Sequence, residues 1–279
     1  MVRAMRKSAA ARLALAAALL AAPAGPARAN EAFRTCMDPD VSSATMVDFC
    51  KRAVEWGGLT RREQAAAWTN VGVGLSELGR HGDALSAYDR AVAADPRFAP
   101  AYQNRALARQ KRGMVKGALE DFAAALKLDP RDAPTLVARG VFYLERGLPE
   151  EALKDLDRAV RFDRDSADAW YHRGRALLML GETGKAAESF TRTLRLDPND
   201  AAARLQRAAA RAKSDPRRAR ADYDAAVRLA PNWAEAFAAR GRFLDAQGDR
   251  AGADADFRRA FELGYQAEWL NRRIEAMGG

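Results

Sequence analysis

Asp-Pro recurs at Asp95-Pro96, Asp129-Pro130 and Asp197-Pro198, and Asp163 stands midway between the last two, so four sites share one spacing of 34 residues. Ala230-Pro231 follows 33 residues on. A fixed period of this length means that the chain is assembled from one small unit rather than wrapped around a single core. Upstream of each site the same apolar grammar returns. The first unit has Trp68, Val71, Gly72, Leu75, Ala84, Tyr88 and Ala91. The fourth has Trp170, Gly174, Leu177, Ala186, Phe190 and Pro198, and the sixth has Phe237, Gly241, Leu244, Ala253, Phe257 and Ala260. Steps of three and four residues predict amphipathic helices, two to a unit. Gly79, Gly113, Gly147, Gly181 and Gly248 mark the end of the first helix, since glycine accepts the left-handed cap conformation. The fifth unit offers Ser214-Asp215-Pro216 instead, a cap residue followed by a proline suited to a first helical position. The closing proline disfavours helix at the residue before it and stops the second helix.

Six units of this kind resemble tetratricopeptide repeats, over residues 65–267, divided as 65–98, 99–132, 133–166, 167–200, 201–233 and 234–267. The resemblance implies an all-α fold, an α-solenoid of stacked helix-turn-helix hairpins with a capping helix at each end. Gly72, Ala106, Gly140, Gly174, Ala208 and Gly241 on the first helices, opposite Ala84, Ala118, Ala152, Ala186, Ala219 and Ala253 on the second, let the two approach closely. A hairpin cannot bury its apolar face alone, so the stack needs ends. Residues 30–64 are expected to form the N-terminal cap. Within it, Phe49, Cys50, Ala53, Val54 and Trp56 give the second helix of a degenerate leading repeat, N-capped by Ser42 or Ser43. Residues 268–279, with Trp269, Leu270, Ile274 and Met277, give the C-terminal capping helix.

The stretch before the cap reads as a leader. Arg3, Arg6, Lys7 and Arg12 precede an apolar run from Leu13 to Ala22, then Pro23, Pro26 and the small-residue pattern Ala27-Arg28-Ala29. That order is the layout of a signal peptide over 1–29, with cleavage expected after Ala29. The apolar run is about half the length that a bilayer crossing needs, so stable membrane insertion is not expected. The formal charge of +9 changes meaning with the leader removed. Its five basic residues lower the total from 46 to 41 against 37 acidic ones, a net of +4. Charges of both signs interleave as on a solvated helical surface, and a nucleic-acid partner is not expected. The only cysteines, Cys36 and Cys50, lie just beyond the cleavage site. In an oxidising compartment such a pair predicts a disulfide, stabilising by ~3 kcal/mol through loop closure. Location is therefore expected to be periplasmic or secreted.

One column departs from the resembled pattern. Where the family places a leucine before the small residue, units two to six carry Arg105, Arg139, Arg173, Arg207 and Arg240. On the second helix stand Asp121, Asp155, Asp222 and Asp256, with Ser189 in unit four, while unit one has Val71 and Ala87. Because the columns mostly appear and vanish together within a unit, they are read as same-unit ion pairs that fix helix register: Arg105 with Asp121, Arg139 with Asp155, Arg207 with Asp222, and Arg240 with Asp256. The competing reading is a basic groove for an acidic ligand.

Chemistry is sparse. His81 and His172 are the only histidines, and no metal-ligand cluster, nucleophile with a positioned base or phosphate-cradling loop stands out. No enzyme activity, metal or cofactor is expected. The resemblance implies that first helices line a concave groove, here with Thr69, Val73, Gln103, Leu107, Val137, Val141, Leu144, Tyr171, Arg175, Leu178 and Arg242. Such a row suits a peptide or an amphipathic helix held by side-chain pockets. The carboxylate clamp of chaperone-binding members is not matched, since Thr69, Val73, Ala66 and Pro100 occupy its places. An asparagine ladder begins with Asn70 and Asn104 and stops at Ala138. The sequence thus points to a non-catalytic protein- or peptide-binding scaffold in a bacterial envelope. A self-assembling homo-oligomer is the alternative, and a small-ligand carrier or enzyme the minor one.

Overall fold

The computed structural model describes residues 25–277, so the leader expected over 1–29 lies outside the described residues up to position 24, as do the last two glycines. Fifteen helices and no strand occur among the described residues. No helix among them is long and apolar enough to cross a membrane. Two compact units divide the chain after Pro130.

The first unit holds α1 (Pro26–Cys36), α2 (Ser43–Glu55), α3 (Arg61–Glu77), α4 (His81–Ala94), α5 (Ala99–Lys111) and α6 (Val115–Leu128). Each packs on its successor as a run of hairpins, with α3 also touching α5. Helix α3 starts four residues before the expected boundary at 65, because Thr60 and Glu63 close a reciprocal capping box ahead of it. The Thr60 hydroxyl accepts from the Glu63 N–H, and the Glu63 carboxylate accepts from the Thr60 N–H at 2.8 Å, satisfying two otherwise orphaned donors. Ser42 caps α2 by accepting from the Thr45 N–H at 3.2 Å.

Helix α1 is the larger departure: the N-terminal cap is a hairpin, where the sequence pattern showed one helix. Pro26 sits in its first turn, where a missing N–H costs nothing. Ala29, Ala32 and Cys36 form its buried face. The Arg28 guanidinium lies 4.3 Å over the Trp56 ring. The expected cleavage bond after Ala29 therefore falls inside α1. Cys36 and Cys50 are joined by a disulfide that ties α1 to α2.

The second unit holds α7 (Ala133–Leu144), α8 (Pro149–Phe162), α9 (Ala167–Met179), α10 (Thr183–Leu196), α11 (Ala201–Arg211), α12 (Pro216–Leu229), α13 (Ala234–Ala246), α14 (Arg250–Glu262) and α15 (Glu268–Ala276). Again each helix packs on the next, and alternate first helices touch, α7 on α9 and α9 on α11. This consecutive hairpin packing is that of an all-α solenoid. The core is a string of local clusters, with Leu136, Phe142, Leu156, Leu177, Phe190 and Leu270 essentially fully buried. Leu270 belongs to α15, which covers the last hairpin; the neighbouring Trp269 ring meets Phe257 edge-on at 5.3 Å.

Two local features set hairpin geometry. Gly181 ends α9 at φ 76°, a left-handed conformation that side chains resist. Within the pair α9–α10, a Cβ on Gly174 would lie 2.7 Å from the Phe190 ring, so the glycine is what admits the phenyl group. In the fifth repeat Asp215 caps α12 by accepting from the Arg218 N–H at 3.0 Å, with Pro216 as the first helical residue.

Candidate functional site

The arginine column lies between helices rather than on an open face. Arg105 grips Asp121 through two bonds, Nε to Oδ2 at 2.9 Å and Nη2 to Oδ1 at 2.7 Å. Arg139 and Asp155 repeat the fork at 2.7 and 2.8 Å. Arg207 holds Asp222 at 2.8 and 2.7 Å, and Arg240 holds Asp256 at 2.7 Å through both nitrogens. All four aspartates are 5% exposed or less. In the fourth repeat Arg173 donates instead to the buried Ser189 hydroxyl, at 2.7 Å. Burial alone would lower the pKa of Arg105; Asp121 and Asp89 outweigh it and hold the group above its ordinary value.

A second set of acceptors escaped the repeat-by-repeat reading. Sixteen residues before three of the five arginines, on the preceding second helix, Asp89 accepts from Arg105 at 2.7 Å, Asp157 from Arg173 at 2.7 Å and Asp224 from Arg240 at 2.9 Å. These arginines thus clamp three helices together. The signal was a constant offset of 16 residues, visible only when one repeat is compared with its predecessor.

The first-helix faces are the places where a partner could lie. In the first unit, Val73, Asn104 and Leu107 line a cleft of about 220 Å³ between α3 and α5, together with Ser76, Glu77, His81, Tyr88, Ala108 and Lys111. Val73, Gln103 and Leu107 are half-buried. Thr69 is not part of this face: it is buried, and its hydroxyl donates to the Ala65 carbonyl of its own helix at 2.7 Å. Asn70 is engaged as well, because its Nδ2 donates to the Cys36 carbonyl at 3.1 Å and so ties α3 to the cap. Asn104 turns its Nδ2 onto the Pro100 carbonyl at 2.9 Å. An asparagine ladder gripping an extended backbone is therefore not present as free amides.

In the second unit Val137 and Val141 on α7, and Tyr171, Arg175 and Leu178 on α9, are half-buried. Leu144 is a correction: at 5% exposure it packs with Ala152 and Leu156 in the core, because it falls on the hairpin side of α7. Tyr171 stands edge-on to Phe190 at 5.8 Å. Arg242 on α13 is exposed, and its guanidinium lies 5.2 Å over Trp269 of the closing helix. His172 is held neutral, its pKa lowered to about 4 by burial first and by the Arg175 cation second. Among the described residues no group of three His, Cys, Asp or Glu side chains could hold a metal ion.

The tetratricopeptide repeat family pattern matches residues 72–133, 104–166 and 137–201. No curated protein matches the chain. Among solved structures, Pseudomonas aeruginosa PilF is similar at 24% identity and TM-score 0.68, over 78% of this chain and 99% of that one. YrrB, a tetratricopeptide protein with an unusual peptide-binding site, is 25% identical with TM-score 0.55, over 67% of this chain and 95% of its own. MamA is 27% identical with TM-score 0.52, over 56% and 91% respectively. Repeat period, hairpin packing, family match and structural likeness converge on tetratricopeptide repeats over residues 72–201.

Proposed function

We propose that this chain is an exported, non-catalytic scaffold of the cell envelope that holds a protein or peptide partner against its first-helix faces. The observation that carries the reading is the apolar row left half-covered there: Val73 and Leu107 in the first unit, and Val137, Val141, Tyr171 and Leu178 in the second. A folded chain rarely leaves such a row without a use in recognition. The peptide-binding site named for YrrB, a relative of the same fold, supports a partner of that class. Export is supported by the leader-like start and by the Cys36–Cys50 disulfide, which an oxidising compartment would preserve.

The test is capture from an envelope extract by the purified protein, beside a variant carrying Leu107→Asp and Val141→Asp. Loss of captured proteins with unchanged helical content supports the reading. Capture of the same set by both would remove the first-helix faces as the site.

Self-assembly has one observation in its favour. Phe162, Leu229 and Phe261 stand 41–45% exposed towards the ends of α8, α12 and α14. Light scattering decides it, because a strict monomer at high concentration rules out the oligomer.

A further inference from the structure

In the fifth repeat the arginines outnumber the carboxylates they meet. In the second repeat two arginines meet two carboxylates: Arg105 and Arg109 both bind Asp121, and Arg105 also binds Asp89. The fifth repeat keeps the equivalent arginines, Arg207 and Arg211, and the equivalent of Asp121, which is Asp222. The place of Asp89 is taken by Thr191. Its hydroxyl accepts from Arg207 Nη1 at 3.2 Å and Arg211 Nη2 at 3.3 Å, while its proton is spent on the Ala187 carbonyl at 2.7 Å. These contacts are half an ångström longer than the 2.7 Å bonds that Asp89 and Asp157 accept. Charge-assisted bonds are the shorter and stronger kind, so the neutral acceptor leaves both guanidinium groups under-satisfied.

A third cation crowds the same carboxylate. Arg204 reaches Asp222 only at 4.0 Å, and its buried Nε has no hydrogen-bond partner. Three guanidinium groups thus share one buried carboxylate. Burial, then the neighbouring Arg207 charge, hold the Arg211 pKa below its ordinary value, the opposite of Arg105 with its two carboxylates. The deficit is not sealed in. A pocket of about 330 Å³ opens beside it, lined by Ala187, Glu188, Thr191, Arg195 and Arg211. At its rim Glu188 and Arg195 offset each other in sign, so the excess lies deeper, at Arg211.

We propose that this pocket, between α10 and the α11–α12 hairpin, takes the carboxylate of an acidic side chain from a protein partner, seated where other repeats carry their own aspartate. A planar carboxylate is the group that the guanidinium fork fits through two parallel bonds. The second, fourth and sixth repeats show that same group in that same place, from Asp89, Asp157 and Asp224. The site lies between the second helix α10 and the end of α11, and it uses none of the residues of the half-covered first-helix row.

The test uses the purified protein and the capped peptide acetyl-Glu-Glu-Glu-amide at constant ionic strength, with inorganic phosphate as the parallel arm. Thr191→Asp supplies the missing carboxylate from within. The wild type is expected to gain melting temperature with the peptide and to shift the Arg211 Nε–Hε resonance. The variant is expected to melt higher on its own and to bind the peptide at least tenfold more weakly. Arg211→Gln should likewise lose binding, whereas Arg109→Gln in the balanced second repeat should keep it. Equal peptide binding by wild type and both fifth-repeat variants would overturn the proposal. So would a peptide that leaves the Arg211 resonance unmoved, or phosphate binding tenfold tighter than the peptide.

Discussion

Arg139 and Asp155 face each other as a two-bond fork, at 2.7 and 2.8 Å, with the carboxylate 4% exposed. Among the described residues, Asp155 is the one carboxylate within ion-pair distance of Arg139, whereas Arg105 and Arg240 each have a second. The fork therefore carries the whole compensation of a buried charge. Asp155→Ala is expected to cost ~3–5 kcal/mol, because a desolvated guanidinium is left behind. The double change Arg139→Met with Asp155→Leu removes both charges and should fall within ~1 kcal/mol of wild type. Urea unfolding of wild type, Arg139→Met, Asp155→Leu and the double variant gives the coupling energy. Single variants as stable as wild type would mean that the pair holds nothing.

Gly174 presents a different constraint, of volume rather than charge. An added methyl meets Phe190 ring carbons at 2.7 Å. Yet Ala106 and Ala208 occupy the same place in other repeats, so a hairpin can open enough for one methyl. Gly174→Ala should therefore cost ~1 kcal/mol and Gly174→Val ~3 kcal/mol, as overpacking of a tight contact does. A shifted urea midpoint with an unchanged slope is the expected signature. A valine variant as stable as wild type would show that the contact is loose.

What could be read without coordinates follows from how locally each feature is encoded. The repeat grammar is local: Trp170, Gly174, Leu177, Ala186 and Phe190 lie within one hairpin, and their period alone defines it. The arginine and aspartate columns were visible because both sit inside one repeat. Features that cross repeats were hidden. Asp157 belongs to the repeat before Arg173, and Asn70 looks free until α1 brings the Cys36 carbonyl to it. Helix α1 itself was masked because Pro26, Ala27 and Ala29 satisfy a leader's end and a helix start equally well. Thr69 and Leu144 fail for a geometric reason: groove and core positions on one helix differ by a single residue, a turn of about 100°.

His172 makes a signed pH prediction. Its folded pKa of about 4 lies below the ordinary 6.5, so the folded state keeps the ring neutral while the unfolded chain takes up a proton. Its contribution is complete above pH 6.5 and declines as pH falls towards 4, by up to ~3 kcal/mol. The neighbours that set it are the Arg175 cation, 3.4 Å away, and the more weakly opposing Asp168 and Glu145. His172→Gln should therefore flatten the loss of stability across that window, while the carboxylate-driven loss below it remains. Identical pH curves for variant and wild type, measured by denaturant unfolding between pH 4 and 7, would count against the assignment.

The Cys36–Cys50 disulfide closes a loop of 14 residues at the base of the N-terminal hairpin. Reduction frees the loop in the unfolded chain and should cost ~3 kcal/mol, provided that the cap and the repeats behind it unfold together. The structure gives a reason to expect that coupling. The Cys36 carbonyl accepts from Asn70 on α3, and Cys36, Cys50 and Val47 share one cluster with Val71, Leu75 and Tyr88. Loosening the cap should therefore be felt through α3 and α4. Hydrogen exchange of the Cys36→Ser, Cys50→Ser double variant should show lost protection in α1 to α4, with α7 to α15 little changed. Protection lost only in α1 would mean that the cap frays alone, and an unchanged melting temperature under reductant would mean that the bond adds no stability.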